Sequence, residues 1–135
     1  CRCFTHSTET VIWARKQLTV KKKGKHYFDY QSMKEENGGK QMKDVWIFEE
    51  EPEIWNIPTT SKKEKKEGNH PTQKPMRLLE RIIIASTKEN DLVLDPFNGS
   101  GTTGIVCKNL NRRYIGIDNE AEYLELTKKR YEAKL

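Results

Sequence analysis

The stretch LDPFNGSGTTG, Leu94–Gly104, passes from an apolar run through Gly99, Gly101 and Gly104 into a segment of helical character. The glycine spacing is that of the G-x-G-x-x-G turn, which lets a ligand approach the backbone where a helix begins. Asp95 stands just ahead of the glycines, where a dinucleotide's phosphates would lie. Like charges about 4 Å apart repel by roughly 4 kcal/mol at an effective dielectric of about 20, so a pyrophosphate is unwelcome here. S-adenosylmethionine carries a sulfonium and an ammonium instead. For that ligand the same carboxylate becomes a partner, while backbone amides can receive the ligand's own carboxylate. Asp118 lies about twenty residues beyond the turn, a spacing at which an acid binds ribose hydroxyls in any adenosine cofactor.

Outward from the turn, strands and helices alternate. Asp91–Leu94 reads as a short strand. Before it, Pro75 opens a helix on which Met76, Leu79, Ile82, Ile83 and Ser86 recur at helical spacing. After the turn, Thr102–Leu110 is predicted helical with Ile105, Val106 and Leu110 on its buried side, and Tyr114–Ile117 is a second strand closed by Asp118. Asn119 is expected to cap a last helix, with Glu122 completing a capping box and Tyr123, Leu124 and Leu126 packing inward. Helix, strand, glycine turn, helix, strand, acid, helix is one half of a doubly wound α/β sheet, with a right-handed crossover expected.

Leu, Ile, Val and Phe supply 17 of the 61 residues from Pro75 onward but only 11 of the 74 before it, which places most of the core in the second half. In the first half, TETVIWAR (Thr8–Arg15) alternates like a largely buried strand and HYFDY (His26–Tyr30) like a second. With the basic residues Gln17–Lys25 between them, they are expected to form a hairpin with a basic tip. Asn37-Gly38-Gly39 is turn chemistry, Val45–Phe48 is a short apolar run, and Pro58–Asn69 reads as a linker or mobile loop.

The chain has 135 residues and a net charge of +5, much of it clustered at Lys21, Lys22, Lys23 and Lys25 and at Lys62, Lys63, Lys65 and Lys66. The first cluster suits a polyanion. The second is interrupted by Glu64 and Glu67 and reads as a solvated loop. Three cysteines are an odd number, and Cys1-x-Cys3 with nearby His6 lacks the companion pair of a zinc site, so a reduced intracellular protein without a metal is expected. Cys107 reads as a buried small hydrophobe. The sequence starts at Cys1 with no signal-like apolar run, and a piece of a longer protein is the expectation.

Three linked motifs carry a family resemblance. NHPTQKPMRLLERII (Asn69–Ile83), DLVLDPFNGSGTTG (Asp91–Gly104) and RRYIGIDNEAEYLELTKKR (Arg112–Arg130) resemble, in this order, the C-terminal half of β-group amino-methyltransferases of DNA. The resemblance implies a partial Rossmann-like class I methyltransferase fold, S-adenosylmethionine as cofactor and double-stranded DNA as partner. It also implies a restriction-modification role and a cytoplasmic, nucleoid-associated location, without metal or membrane; a homodimer is compatible with it. Asp95 would then hold the methionine ammonium, with Asn98, Gly99, Ser100 and Gly101 shaping the wall and Phe97 packing nearby. Thr72 and Lys74 would contact the cofactor's amino-acid end, and Asp118 the ribose. His70 and Gln73 belong to the same motif, as ligand contacts or as residues that order the loop.

FTHSTETVIWARK (Phe4–Lys16) resembles the strand region between the family's catalytic motif and its target-recognition segment. NGGKQMKDVW (Asn37–Trp46) resembles the adenine branch, particularly enzymes acting at GATC. Lys40 and Lys43 suit phosphates or guanine edges, and Gln41 can pair with adenine N6 and N7; a surface loop packed by Trp46 fits the same residues. The family's Asp-Pro-Pro-Tyr-like tetrapeptide, which holds the extruded base's amine, does not occur in the sequence, so no catalytic residue is assigned. Asp95-Pro96-Phe97 belongs to the cofactor motif. The missing tetrapeptide is expected in an N-terminal half of the same protein. Residues 1–20 are thus assigned to the methyltransferase sheet, 21–68 to target recognition and linker, and 69–135 to the cofactor-binding half. Cytosine-N4 methylation, a nicotinamide-dependent oxidoreductase and a DNA-binding module that only retains the fold stay open as alternatives.

Overall fold

A computed structural model describes residues 10–15, 26–44, 60, 64–68 and 70–133. The Lys21–Lys25 cluster, Lys62, Lys63 and the Val45–Phe48 run with Trp46 lie outside the described residues. The elements are α1 (Tyr30–Glu36), α2 (Met76–Ser86), β1 (Leu92–Asp95), α3 (Thr102–Asn109), β2 (Arg113–Gly116) and α4 (Ala121–Glu132). Both strands fall within one residue of their expected positions. They pair in parallel with Val93 opposite Tyr114 and Leu94 opposite Ile115, α3 making the crossover between them.

One face of this sheet is packed and the other is open. Val93 and Tyr114 join Met76, Leu79 and Leu110 around the buried core residues Ile83, Val106 and Cys107. Burial raises the Cys107 thiol pKa to about 11, which fits an inert core residue. Gly104 is where α3 and β2 come closest: a Cβ there would stand 2.5 Å from the Tyr114 ring. The third glycine of the fingerprint is thus a packing residue. On the opposite face Leu92, Leu94, Ile115 and Ile117 are all exposed, Leu94 by 58% and Ile117 by 53%. The result is half of a doubly wound fold, with helices on one side of its two described strands.

Helix α2 lies between two partners. Met76, Leu79 and Ile83 face α3 and the core, whereas Met33 of α1 is buried on the other side, where the buried Arg81 binds Glu36 at 2.5 Å. The expected face therefore holds only in part: Ser86 is exposed and turns its hydroxyl back to the Ile82 carbonyl. Leu78 and Ala85 are buried instead.

Neither of two expected strands is formed among the described residues. HYFDY leads into α1, because Asp29 accepts the Ser32 N–H and caps a helix there. Asn37-Gly38-Gly39 forms the expected turn and closes that helix. The Gly38 N–H binds the Glu35 carbonyl and the Gly39 N–H the Lys34 carbonyl, both glycines having positive φ, which is a Schellman ending. Residues 10–15 are irregular, with Val11, Ile12 and Trp13 exposed. A strand exists only through its neighbours, and none lies beside this segment among the described residues. The strand reading of HYFDY is thereby corrected, while the basic tip of the expected hairpin and residues 1–9 and 16–20 lie outside the described residues. Two smaller readings also change. Asn119 does not cap α4: Glu120 stands at the N-cap with no side-chain cap bond, and Asp118 accepts the Glu120 N–H just before the helix. The supposed linker contributes Glu64, whose carboxylate accepts the Met76 N–H at the start of α2.

Gly104→Ala should lower stability by about 1–3 kcal/mol in urea denaturation, although alanine is the better helix former, because overpacking against Tyr114 outweighs propensity. A stabilised variant would contradict this packing role.

Candidate functional site

The turn from β1 to α3 is shaped from both ends. At the tip of β1, Asp95 accepts the Phe97 N–H at 3.0 Å and the Thr103 hydroxyl at 2.7 Å, so its carboxylate is oriented before any ligand arrives. Asn98 is buried, with its side chain turned behind the loop. There it donates to the Thr127 hydroxyl at 2.7 Å and accepts from the Tyr114 hydroxyl. Gly99 and Gly101 have φ of 51° and 71°. The Gly99 N–H donates to Asp118 at 2.7 Å, tying the turn to the tip of the second strand.

Thr72, Lys74, Asp95, Phe97, Asn98 and Ser100 line one cavity of 260 Å³, together with His70, Gln73 and Thr103. Six residues expected at a cofactor, from two separated motifs, are thus brought together. Asn98 contributes to the wall but commits its polar atoms elsewhere, and the Phe97 ring is 88% exposed at the rim. Gly99, Gly101 and Asp118 do not line this cavity: Gly99 lies beneath His70 and is bonded to Asp118, and Gly101 lies against Thr127. The His70 ring accepts the Thr72 N–H, meets Tyr123 edge-on at 4.3 Å and lies over Gly99, where a Cβ would begin 3.2 Å from Nε2. Lys40, Gln41 and Lys43 are exposed on the loop after α1, away from the cavity lining, and Asn37 binds the Lys40 and Gln41 carbonyls to shape that loop.

The cavity's polar atoms suit a ligand with both signs of charge. Asp95 offers a carboxylate, and Gln73 Oε1 is buried with no donor among the described residues. Both invite a cation. Hydrogen bonds from the Glu120 N–H and then the Gly99 N–H hold the Asp118 carboxyl below the usual carboxylate range, with His70 adding to the effect. Thr103, Thr127, Arg130 and Glu64 were not expected at the site. The available signal was Thr127 and Arg130 three residues apart, which places them on one face of α4.

A family model described as DNA methylase matches residues 1–129. The chain belongs to the DNA methylase family. Among curated relatives, it is 60% identical over 130 residues to the type II methyltransferase M2.LlaDCHI of Lactococcus lactis subsp. cremoris, covering 96% of this chain and 44% of that protein. It is also 60% identical over 134 residues to M2.DpnII of Streptococcus pneumoniae, covering 99% and 46%. The chain therefore spans about half the length of these relatives. Among solved structures, the cytosine-N4-specific PvuII DNA methyltransferase is 30% identical with a TM-score of 0.50, covering 60% of this chain and 30% of that one. The shared architecture makes this a partial Rossmann-like methyltransferase fold, and family membership removes the nicotinamide oxidoreductase alternative.

Because the folded Asp118 pKa lies below its ordinary 3.8, its hold on the turn is complete above pH 3.8 and is lost as pH falls through the lower folded value. In NMR titrations the Gly99 and Glu120 amide resonances should shift with that midpoint. The transition should vanish in Asp118→Asn; its persistence would assign the acid sensitivity to another group.

Proposed function

We propose that this chain is the cofactor-binding and target-recognition half of a site-specific DNA (adenine-N6) methyltransferase of a restriction-modification system. The observation that carries the reading is the shared cavity of Thr72, Lys74, Asp95 and Gln73, lined by a fixed carboxylate, with the unpartnered Gln73 Oε1 buried beside it. S-adenosylmethionine fits this donor set, and when bound it supplies an electrophilic methyl group. Asp95 and Gln73 Oε1 would hold its ammonium, Thr72 and Lys74 its amino-acid end, and Asp118 its ribose. The turn Asn98–Gly101 shapes the wall. None of these residues removes a proton from the target. They fix the methyl donor so that an amine can approach in line, and orientation of that kind is a large part of the rate gain in a transfer between two bound partners.

Residues 69–135 form the cofactor half in this reading, and residues 21–68 carry target recognition. The exposed loop with Lys40, Gln41 and Lys43 offers two cations and one amide to double-stranded DNA, with GATC as the proposed sequence. The tetrapeptide that grips the extruded adenine would come from the part of the relatives that this chain does not span. That the Leu92, Leu94, Ile115 and Ile117 face is open supports this, because parallel strands are ordinarily covered on both faces. Likeness to the PvuII enzyme keeps a cytosine-N4 target as the second reading.

In the intact methyltransferase, Asp95→Asn should weaken S-adenosylmethionine binding by about tenfold or more in calorimetry, since it removes a charged partner while keeping an acceptor for Thr103. Unchanged affinity would overturn the ammonium contact. Mass spectrometry of the methylated DNA should show N6-methyladenine; N4-methylcytosine would establish the second reading. Gln41→Ala should relax discrimination at the adenine by about 1–3 kcal/mol across a panel of single-base variants of the site. An unchanged preference would remove Gln41 from recognition.

A further inference from the structure

Arg130 is a buried cation that forms no ion pair among the described residues. Its side chain is wholly shielded from solvent. Burial pulls its pKa down, and the acid that acts on it in the opposite direction is Glu64, whose carboxylate is already engaged by the Met76 N–H. Nη1 donates to the Ser100 carbonyl at 2.5 Å and to the Thr102 hydroxyl at 3.2 Å, while Nε and Nη2 have no acceptor among the described residues. If Arg130 served only to fill space, a methionine of similar length would do so without the cost of a buried charge.

What Arg130 touches explains its placement. One turn earlier on α4, Thr127 donates to the Gly99 carbonyl at 3.2 Å. Two successive carbonyls of the glycine turn, Gly99 and Ser100, are therefore drawn back toward α4. In a trans peptide the N–H points opposite the carbonyl, and the described residues contain no cis bond. Turning the Gly99 carbonyl to Thr127 thus aims the Ser100 N–H away from α4, toward the cavity that Ser100 lines. That N–H has no acceptor among the described residues. The charge behind it is poorly screened and adds to the positive end of α3. An outward N–H and a positive field together make a receptor for an anion.

We propose that Arg130, together with Thr127, is a positioning residue for the carboxylate of the cofactor's amino-acid end: the pair turns the Ser100 N–H toward that carboxylate and Arg130 supplies positive potential from behind the turn. The inference rests on the S-adenosylmethionine reading and adds α4 to the binding machinery. It separates the two charges of the ligand's zwitterion, with Asp95 taking the ammonium and the α4-backed turn taking the carboxylate.

The test uses two ligands in the intact methyltransferase, S-adenosylhomocysteine and 5′-methylthioadenosine, which lacks the amino-acid end. Calorimetry is run below the melting temperature of every variant. Arg130→Met should weaken S-adenosylhomocysteine by about tenfold and 5′-methylthioadenosine by less than about twofold, with Arg130→Lys recovering part of the loss. Thr127→Val should show the same selectivity and carries the test if Arg130→Met does not fold. Equal weakening of both ligands, or of neither, would overturn the proposal, because a merely structural role affects the whole site. Failure of the unsubstituted protein to bind either ligand would instead overturn the cofactor reading itself, and this inference with it.

Discussion

Position 101 can carry no side chain, and much of the site depends on that restriction. Gly101 is left-handed, and a Cβ on it would stand 2.4 Å from Thr127 Cγ2 of α4. The close approach lets Thr127 and Arg130 reach carbonyls that lie one residue apart in the turn. Asn98 is drawn into the same junction, bonding Thr127 on α4 and Tyr114 on β2. Tyr114 in turn packs its ring on Gly104 of α3. Elements β1, α3, β2 and α4 thus meet around one turn, whose geometry is fixed by tertiary contact as much as by its own sequence.

The same junction sorts charge. Asp95 and Asp118 sit at the carboxyl ends of the two strands, where backbone N–H groups meet their carboxylates. At Asp118 such bonds favour the ionised form. Arg130 and the start of α3 lie on the other side of the turn. A ligand lying across it meets negative groups at the strand tips and a positive field at the helix. An adenosyl amino acid, with a ribose and an ammonium at one side and a carboxylate at the other, matches that division. A pyrophosphate does not.

The part of the fold legible in the sequence is the part written in short-range signals. The strands around the turn and α3 follow from periodicity, glycines and the flanking acids, all within one βαβ unit, whereas Thr72 and Lys74, in the loop before α2, were legible only through the resemblance of their motif. Helix α1 was hidden, because aromatic residues at Tyr27, Phe28 and Tyr30 favour a strand and the helix spans only seven residues. It is held by partners far along the chain, since Arg81 and Glu36 are 45 residues apart. Residues 10–15 fail for the converse reason: alternation proposes a strand, but only a neighbour can make one. Asn119 does not cap α4, which begins one residue later than a cap at Asn119 requires, with Glu120 at the N-cap and no side-chain cap bond; Asp118 instead holds the Gly99 and Glu120 N–H groups ahead of the helix. Thr127 and Arg130 read as ordinary helix residues until α4 is laid against a turn nearly thirty positions earlier.

The two surfaces left unfinished point in one direction. In a doubly wound sheet, ligands bind beyond the carboxyl ends of the strands, and Asp95 marks that end of β1. Phe97, just past it, is 88% exposed, and the apolar row of Leu94, Ile115 and Ile117 begins beside it on the open face. Under the proposed function, a methyl acceptor would approach this same end to meet a donor held by Asp95. If the remainder of a relative-sized protein covers the apolar row, its nearest edge reaches the rim at Phe97. The residues that grip the target amine would then stand beside the cofactor without any rearrangement of the turn. Covering the hydrophobic face and completing the proposed active site would then be one event, and the fold of such a second part would be coupled to the chemistry of the first through a single strand end.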